Sequence, residues 1–248
     1  MRSGTILLSL ILGVAAALGD VLGGLALTAK SRWDQVRLRY FIALGAGFML
    51  AAAILEMLPE SMRRSPQAPL FIIGGYLLVH LFEHTLPSHF HFGEETHAEA
   101  MVGSRSGTLA LIGLLVHSFF DGVAIASGLA IGSALGLLVF AAVMLHKLPE
   151  GFTMASIMLA SGRPRGVALG AAVALGVATI LGVASVAAVS GFAGHALALS
   201  AGVTIYVAAS DLMPEVNKEE GVGMAVVVFA GVALFYVMKL LLDAAGLE

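Results

Sequence analysis

The sequence predicts an all-α integral membrane protein: one transmembrane domain over 1–248, with eight transmembrane helices, inverted repeats and a central site between helices four and five. Three observations predict it. The first is composition. Hydrophobic residues make up 59% of the chain and charged residues 12%, with 30 glycines and a mean hydropathy of +0.97; a soluble domain carries roughly 25% charged residues. The second is the presence of eight apolar runs, each near the about 20 residues that a bilayer requires. The third is a pair of short motifs that recur on runs expected to cross in opposite directions.

Each run reads as an element. The opening MRSGTILLSLILGVAAALGDVLGGLALTA is too long for a secretory leader and lacks a convincing cleavage site, so it is expected to stay as span one, 4–28. The following spans are expected at 37–60, 69–86, 106–131, 134–160, 166–190, 197–214 and 221–243. Most are rich in Gly and Ala, which lets helices approach closely in lipid. The connections are short except for about 87–105, PSHFHFGEETHAEAMVGSR, a polar His-bearing loop. Lys and Arg favour the cytoplasmic side. Lys30, Arg32, Arg37, Arg39, Arg105, Arg163, Arg165 and Lys218 fall on one side, against Arg2, Arg63, Arg64 and Lys239 on the other. That bias places both termini outside and the polar loop in the cytoplasm. A net charge of −3 without a basic tract gives no reason to expect nucleic acid, and the lack of cysteine excludes disulfides and thiolate metal sites.

The two echoes are HSFFDG (117–122) with HKLPEG (146–151), and EMLPE (56–60) with DLMPE (211–215). The first pair falls on spans four and five, the second on spans two and seven. Both fit one pseudo-twofold scheme, an arrangement that in transporters sets the binding site near the midplane.

Span four carries His117 and Asp121; span five carries His146, Lys147 and Glu150. An ionisable group at the bilayer centre costs about 2.5–3.5 kcal/mol on insertion scales, so these five need partners or a purpose. In each span the His and the carboxylate are four residues apart, on one helical face. Facing helices would bring two imidazoles and two carboxylates to one point, a donor set that Zn²⁺ accepts and that Fe²⁺, Mn²⁺ or Co²⁺ accept less selectively. Gly122 and Gly151 clear space beside the carboxylates. Pro149 is expected to bend span five and to free the carbonyl of Leu145 for water or metal. A hydrogen-bonded lock between helices and a metal-free proton relay are the other readings of the same residues.

Eight spans, a His-bearing loop after the third, and H-[SN]-x-x-[DE]-G followed by H-x-x-P-E-G resemble the ZIP (Zrt/Irt-like) family of divalent metal transporters over essentially the whole chain. The resemblance implies a central metal site in a transport pathway, with His117, Asp121, His146 and Glu150 as primary ligands. It also implies import, a divalent metal substrate (Zn²⁺ first, with Fe²⁺, Mn²⁺, Co²⁺ and Cd²⁺ as alternatives) and an elevator-like movement. Many members hold a second ion through the residue after each motif histidine and an acid on span six. Here those neighbours are Ser118 and Lys147, and span six has no acid. The expectation is one metal, with the Lys147 ammonium standing in for the second ion; snorkelling, or pairing with an acid elsewhere, is the alternative for Lys147. Two carboxylates and Lys147 would give the metal-free site a charge of −1 and the loaded site +1.

Glu56, Glu60, Asp211 and Glu215 lie towards the ends of spans two and seven, as pathway acids or as ordinary helix-end polar groups. Asp20 in span one is of the same kind and receives no role. HLFEH (80–84) matches the H-x-x-E-H pattern of metallohydrolases. With no enclosing soluble domain, His80, Glu83 and His84, followed by His89, His91 and His97, read better as loose metal capture or interface polarity than as an intramembrane zinc metallohydrolase. His195 is expected in a solvated outer loop. The expected partners are metal ions and the lipid bilayer of a cell membrane, by expectation a prokaryotic inner membrane; a homodimer is one assembly open to it. No enzymatic activity and no catalytic cofactor are expected.

Overall fold

The structure is a computed structural model that describes residues 3–29, 35–85, 104–188, 192–217 and 221–246. The described residues form eight long helices and no strand: α1 Ser3–Ala29, α2 over 35–64, α3 Ala68–Thr85, α4 Ser104–Ile131, α5 Ser133–Ala160, α6 Arg165–Ala188, α7 over 193–217 and α8 Val222–Ala244. Seven of them are long and apolar enough to cross a membrane; in α3 the apolar stretch, Ala68–Phe82, is shorter. The helices match the eight expected spans to within a few residues. The loop expected to carry His89, His91 and His97 lies outside the described residues.

Helices α1, α4, α5 and α6 pack as one group, through α4–α6, α1–α5, α1–α6 and α4–α5. Two further pairs, α3–α7 and α2–α8, flank it and touch it mainly through α4–α7 and α2–α5. Exchanging α1 with α6, α2 with α7, α3 with α8 and α4 with α5 maps these main contacts onto one another. The inverted repeat expected from the echoes is therefore present in the packing.

Glycines explain how the backbones come so close. At α1–α5, a Cβ on Gly151 would strike the backbone of Asp20, and one on Gly23 would strike the carbonyl of Leu148. At α4–α6, Gly122 meets Thr179 and Gly182 meets Phe119 in the same way. The crosses Gly75–Leu199 with Gly202–Ile72, and Gly47–Val228 with Gly231–Leu44, repeat the device at α3–α7 and α2–α8. In each cross the carbonyl belongs to the residue three before the opposing glycine. In lipid, where burial gives no hydrophobic reward, such close approach is the main source of helix association.

Prolines shape three helices in two ways. In α2 a π-helical turn spans Ala53–Met57, just before Pro59; in α7 another spans Val207–Leu212, just before Pro214. Proline cannot donate to the carbonyl four residues back and crowds it, and a wider turn relieves that conflict. Helix α5 runs through Pro149 without such a turn. The Leu145 carbonyl, expected to face water or metal, instead meets α2: a Cβ on Gly45 would stand 3.3 Å from it.

Candidate metal centre

Spans four and five bring their polar residues together as their spacing requires. His117 and Asp121 on α4 face His146 and Glu150 on α5, all four buried, with one donor atom from each lying within 4.8 Å of the others. The two Nε2 atoms are 3.3 Å apart. Asp121 Oδ2 lies 3.2 Å from His146 Nε2 and 3.4 Å from His117 Nε2. Glu150 Oε2 is 3.8 Å from His146 Nε2 and 4.0 Å from His117 Nε2. Nitrogen and oxygen ligands of tetrahedral zinc, bound at about 2.0–2.2 Å, stand about 3.3–3.6 Å from one another. The donor set and its spacing therefore suit a transition-metal ion of that size with little rearrangement. Nδ1–H of His146 donates to the carbonyl of Ala142 at 3.0 Å, so that in the neutral ring the lone pair is at Nε2, the nitrogen that faces the cluster.

Lys147 does not snorkel; it pairs with the two motif carboxylates and also with an acid elsewhere in the chain, Asp20. It is fully buried, at 0% exposure. Its Nζ donates to Glu150 Oε2 at 2.7 Å and to Ser118 Oγ at 3.0 Å, and lies 3.0 Å from Asp121 Oδ2. The Ser118 hydroxyl donates in turn to Glu150 Oε1 at 2.5 Å. A fourth oxygen, Asp20 Oδ2 on α1, lies 3.5 Å from Nζ. The ammonium thus shares both carboxylates with the cluster and sits beside it among oxygens drawn from three helices.

Asp20 is the residue that sequence reasoning missed. Expected as one more helix-end acid, it is fully buried in the body of α1. The signal lies in the stripe Ser9, Gly13, Ala16/Ala17, Asp20 and Gly23/Gly24, all buried and recurring every three or four residues. A carboxylate within such a stripe faces a neighbouring helix. With Asp20 counted as ionised, the formal charge of the metal-free group is −2 in place of −1, and of the group with a divalent ion zero in place of +1.

The remaining expected residues do not join this cluster. Glu56 lies on the π-turn of α2 and pairs with Lys239 of α8. Glu60 pairs with Arg63 at 2.5 Å and Arg64 at 2.6 Å along its own helix. Asp211, the counterpart of Glu56, is buried on the π-turn of α7. Glu215 continues that helix, and its side chain lies outside the described residues, as do those of Glu83 and His84 on α3. His80 is exposed, with its ring 6.1 Å from that of Tyr206. His195 is helical rather than in a loop: it sits, half-buried, in the first turn of α7, stacked on Phe192 at 5.3 Å and 3.2 Å from Ser65 Oγ.

Fold and site together define a polytopic helical membrane protein with a lipid-buried His/carboxylate centre. Residues 93–239 match the family described as ZIP zinc transporter, and the chain belongs to that family. Among proteins similar to it are zinc transporter ZIP9 of Micropogonias undulatus, 32% identical over 158 residues, covering 59% of this chain and 50% of the relative, and ZIP9 of Xenopus tropicalis at the same identity, covering 52% of the relative. Zinc transporter ZupT of an Enterobacter strain is 28% identical over 129 residues, with 48% of each chain covered. The chain spans about half the length of the curated relatives it matches.

Proposed function

We propose that the protein carries divalent transition-metal ions, zinc first among them, across the membrane towards the cytoplasm, with His117, Asp121, His146 and Glu150 as ligands. The observation that carries this reading is the convergence of two imidazole nitrogens and two carboxylates at ligand spacing between two apolar helices. Lone pairs gathered in a low-dielectric interior repel one another until a cation lies between them. Membership of the ZIP family, and relatives named as zinc transporters, support the cargo and argue against an enzyme.

One metal is bound at a time. Lys147 Nζ has four oxygens within 3.5 Å, the surroundings of a cation, and its fixed charge takes the second position. A hydrated ion enters from outside and exchanges water for the four ligands, in competition with protons because the histidines bind as neutral rings. The group α1, α4, α5 and α6 then shifts against the flanking helices. In the conformation described, Met57 and Leu197 pack with Leu129, Leu135, Val139 and Val143 on the side of the α4–α5 turn. With both termini outside, that is the outer side, so this packing closes the outer entrance. Glu56 and Asp211 are pathway acids; His80, Glu83, His84, His89 and His91, with Glu60 and Glu215 at the helix ends, draw ions towards or away from the pore.

Metal uptake by proteoliposomes of the purified protein tests the reading. Zn²⁺ flux that is lost in both His146→Ala and Glu150→Ala is the expected result; normal flux in both variants removes these ligands from the pathway. Metal binding without flux would identify a sensor or store instead. Peptide cleavage lost in Glu83→Gln would identify a hydrolase. For the one-metal reading, Lys147→Asp is expected to raise bound metal from one ion per chain to two, read by elemental analysis after dialysis.

A further inference from the structure

The backbone around the centre is twofold, but its charges are not. The glycine crosses align Asp20 with Thr179, Gly23 with Gly182, and HKLPEG with HSFFDG residue by residue. Under that alignment Lys147 corresponds to Ser118, and Asp20 to Thr179. The α4–α6 half therefore has two neutral hydroxyls where the α1–α5 half has an ammonium and a carboxylate. Thr179 donates its hydroxyl to the Leu175 carbonyl within its own helix, at 3.2 Å. Neither carboxylate oxygen of Asp20 accepts a hydrogen bond among the described residues, although both are buried. The one ion-pair partner of Asp20 among the described residues is Lys147, at 3.5 Å. A buried carboxylate without hydrogen bonds is costly unless an opposite charge lies beside it, and here that charge is Lys147.

We propose that Asp20 is a positioning residue of the cation centre: it holds the Lys147 ammonium against Asp121 and Glu150 and sets the group's charge at −2, the complement of one divalent ion. The proposal rests on the reading of His117, Asp121, His146 and Glu150 as ligands. Without Asp20, Lys147 would cancel one of the two ligand carboxylates and leave a group of charge −1, which a divalent ion would turn into an uncompensated +1 within the membrane. With Asp20 present, Lys147 fills the second cation position and the loaded group remains neutral. An isolated buried charge is what the bilayer interior penalises most. Glycine packing fixes the distance. A Cβ on Gly19 would stand 2.9 Å from Lys147 Cβ, so α1 approaches α5 closely enough for a short acid to reach the ammonium.

The test uses the full chain purified in detergent, with Zn²⁺ affinity read by competition with a fluorescent chelator and the metal-free unfolding midpoint read alongside. Asp20→Asn is expected to weaken Zn²⁺ binding by about 10–100-fold, the usual effect of losing a group that supports metal ligands, and to lower the metal-free midpoint. Asp20→Glu keeps the charge and is expected to stay within about tenfold of wild type on the same scale. The deciding variant is Asp20→Asn with Lys147→Met. It removes one charge of each sign and restores −2, so it is expected to bind Zn²⁺ more tightly than Asp20→Asn alone and to regain stability. A purely structural role for Asp20 predicts no such rescue. Wild-type affinity in Asp20→Asn, or a double variant that binds no more tightly than Asp20→Asn, overturns the proposal. If Asp20→Asn does not fold, the double variant decides: Zn²⁺ affinity within about tenfold of wild type supports the proposal, and weaker binding or failure to fold overturns it. Loss of binding in His146→Ala, with none in Asp20→Asn, would sink this inference while leaving the ligand reading intact. Absence of Zn²⁺ binding by the wild type would sink both.

Discussion

The α4–α6 and α1–α5 halves of the centre are built alike and charged differently. Each contributes a histidine and a carboxylate four residues apart, and a glycine that lets a neighbouring backbone touch. Only the second half adds Lys147 and Asp20, and only its histidine has an Nδ1 hydrogen bond; His117 Nδ1 has none among the described residues. The comparison teaches that geometry and charge are separable here. Shared backbone packing sets where four donor atoms meet. Unshared charges set what total charge that meeting point tolerates.

The shared part is broken most severely at the ligands. His117→Ala and His146→Ala are each expected to weaken Zn²⁺ binding by at least ~100-fold, about 2.7 kcal/mol, measured by the same chelator competition. A deficit confined to one half would show that the ion sits off the twofold position. Next come the crossing glycines. Gly122→Ala and Gly151→Ala place a methyl group against the backbone of Thr179 and Asp20, and overpacking of this kind costs about 1–3 kcal/mol or more. Both should lower the thermal midpoint in detergent by similar amounts, whereas Gly113→Ala, which meets nothing within 4 Å, should not.

Smaller effects sharpen the comparison between the second pair of twofold mates. Asp211 is buried and Glu56 is paired with half-exposed Lys239. Asp211→Asn should therefore destabilise the protein by about 1–3 kcal/mol, the range for disturbing a buried polar group. Glu56→Gln should cost about 1 kcal/mol or less, as expected of a partly solvated ion pair. Denaturation in mixed micelles ranks the two; the reverse order would mean that the Glu56–Lys239 pair, not the buried acid, anchors its π-turn. Arg64→Ala, which removes one of two exposed partners of Glu60, should fall within about 0.5 kcal/mol of wild type in the same assay.

The convergence of His117, Asp121, His146 and Glu150 is legible because its signal is local. His and carboxylate at a four-residue spacing share a helix face whatever the tertiary structure, and apolar flanks make any such face an interior one. Lys147 was legible as an anomaly, but its surroundings were not, since Asp20 is more than a hundred residues away in the chain. The π-turns before Pro59 and Pro214, against the unbroken helix at Pro149, were likewise beyond local reading. Whether a freed carbonyl opens a wide turn or finds a glycine across an interface depends on which helix lies opposite.

What the sequence by itself determined is the membrane class, the eight long helices, the inverted pairing and the four side chains that converge, because hydropathy and helical periodicity act over short range. What only the tertiary structure decided is which acid faces Lys147, where the Leu145 carbonyl points and that His195 stacks on Phe192. Those outcomes depend on the register between helices distant in the chain. That register is set by glycine crosses whose partners cannot be paired from one strand of sequence alone.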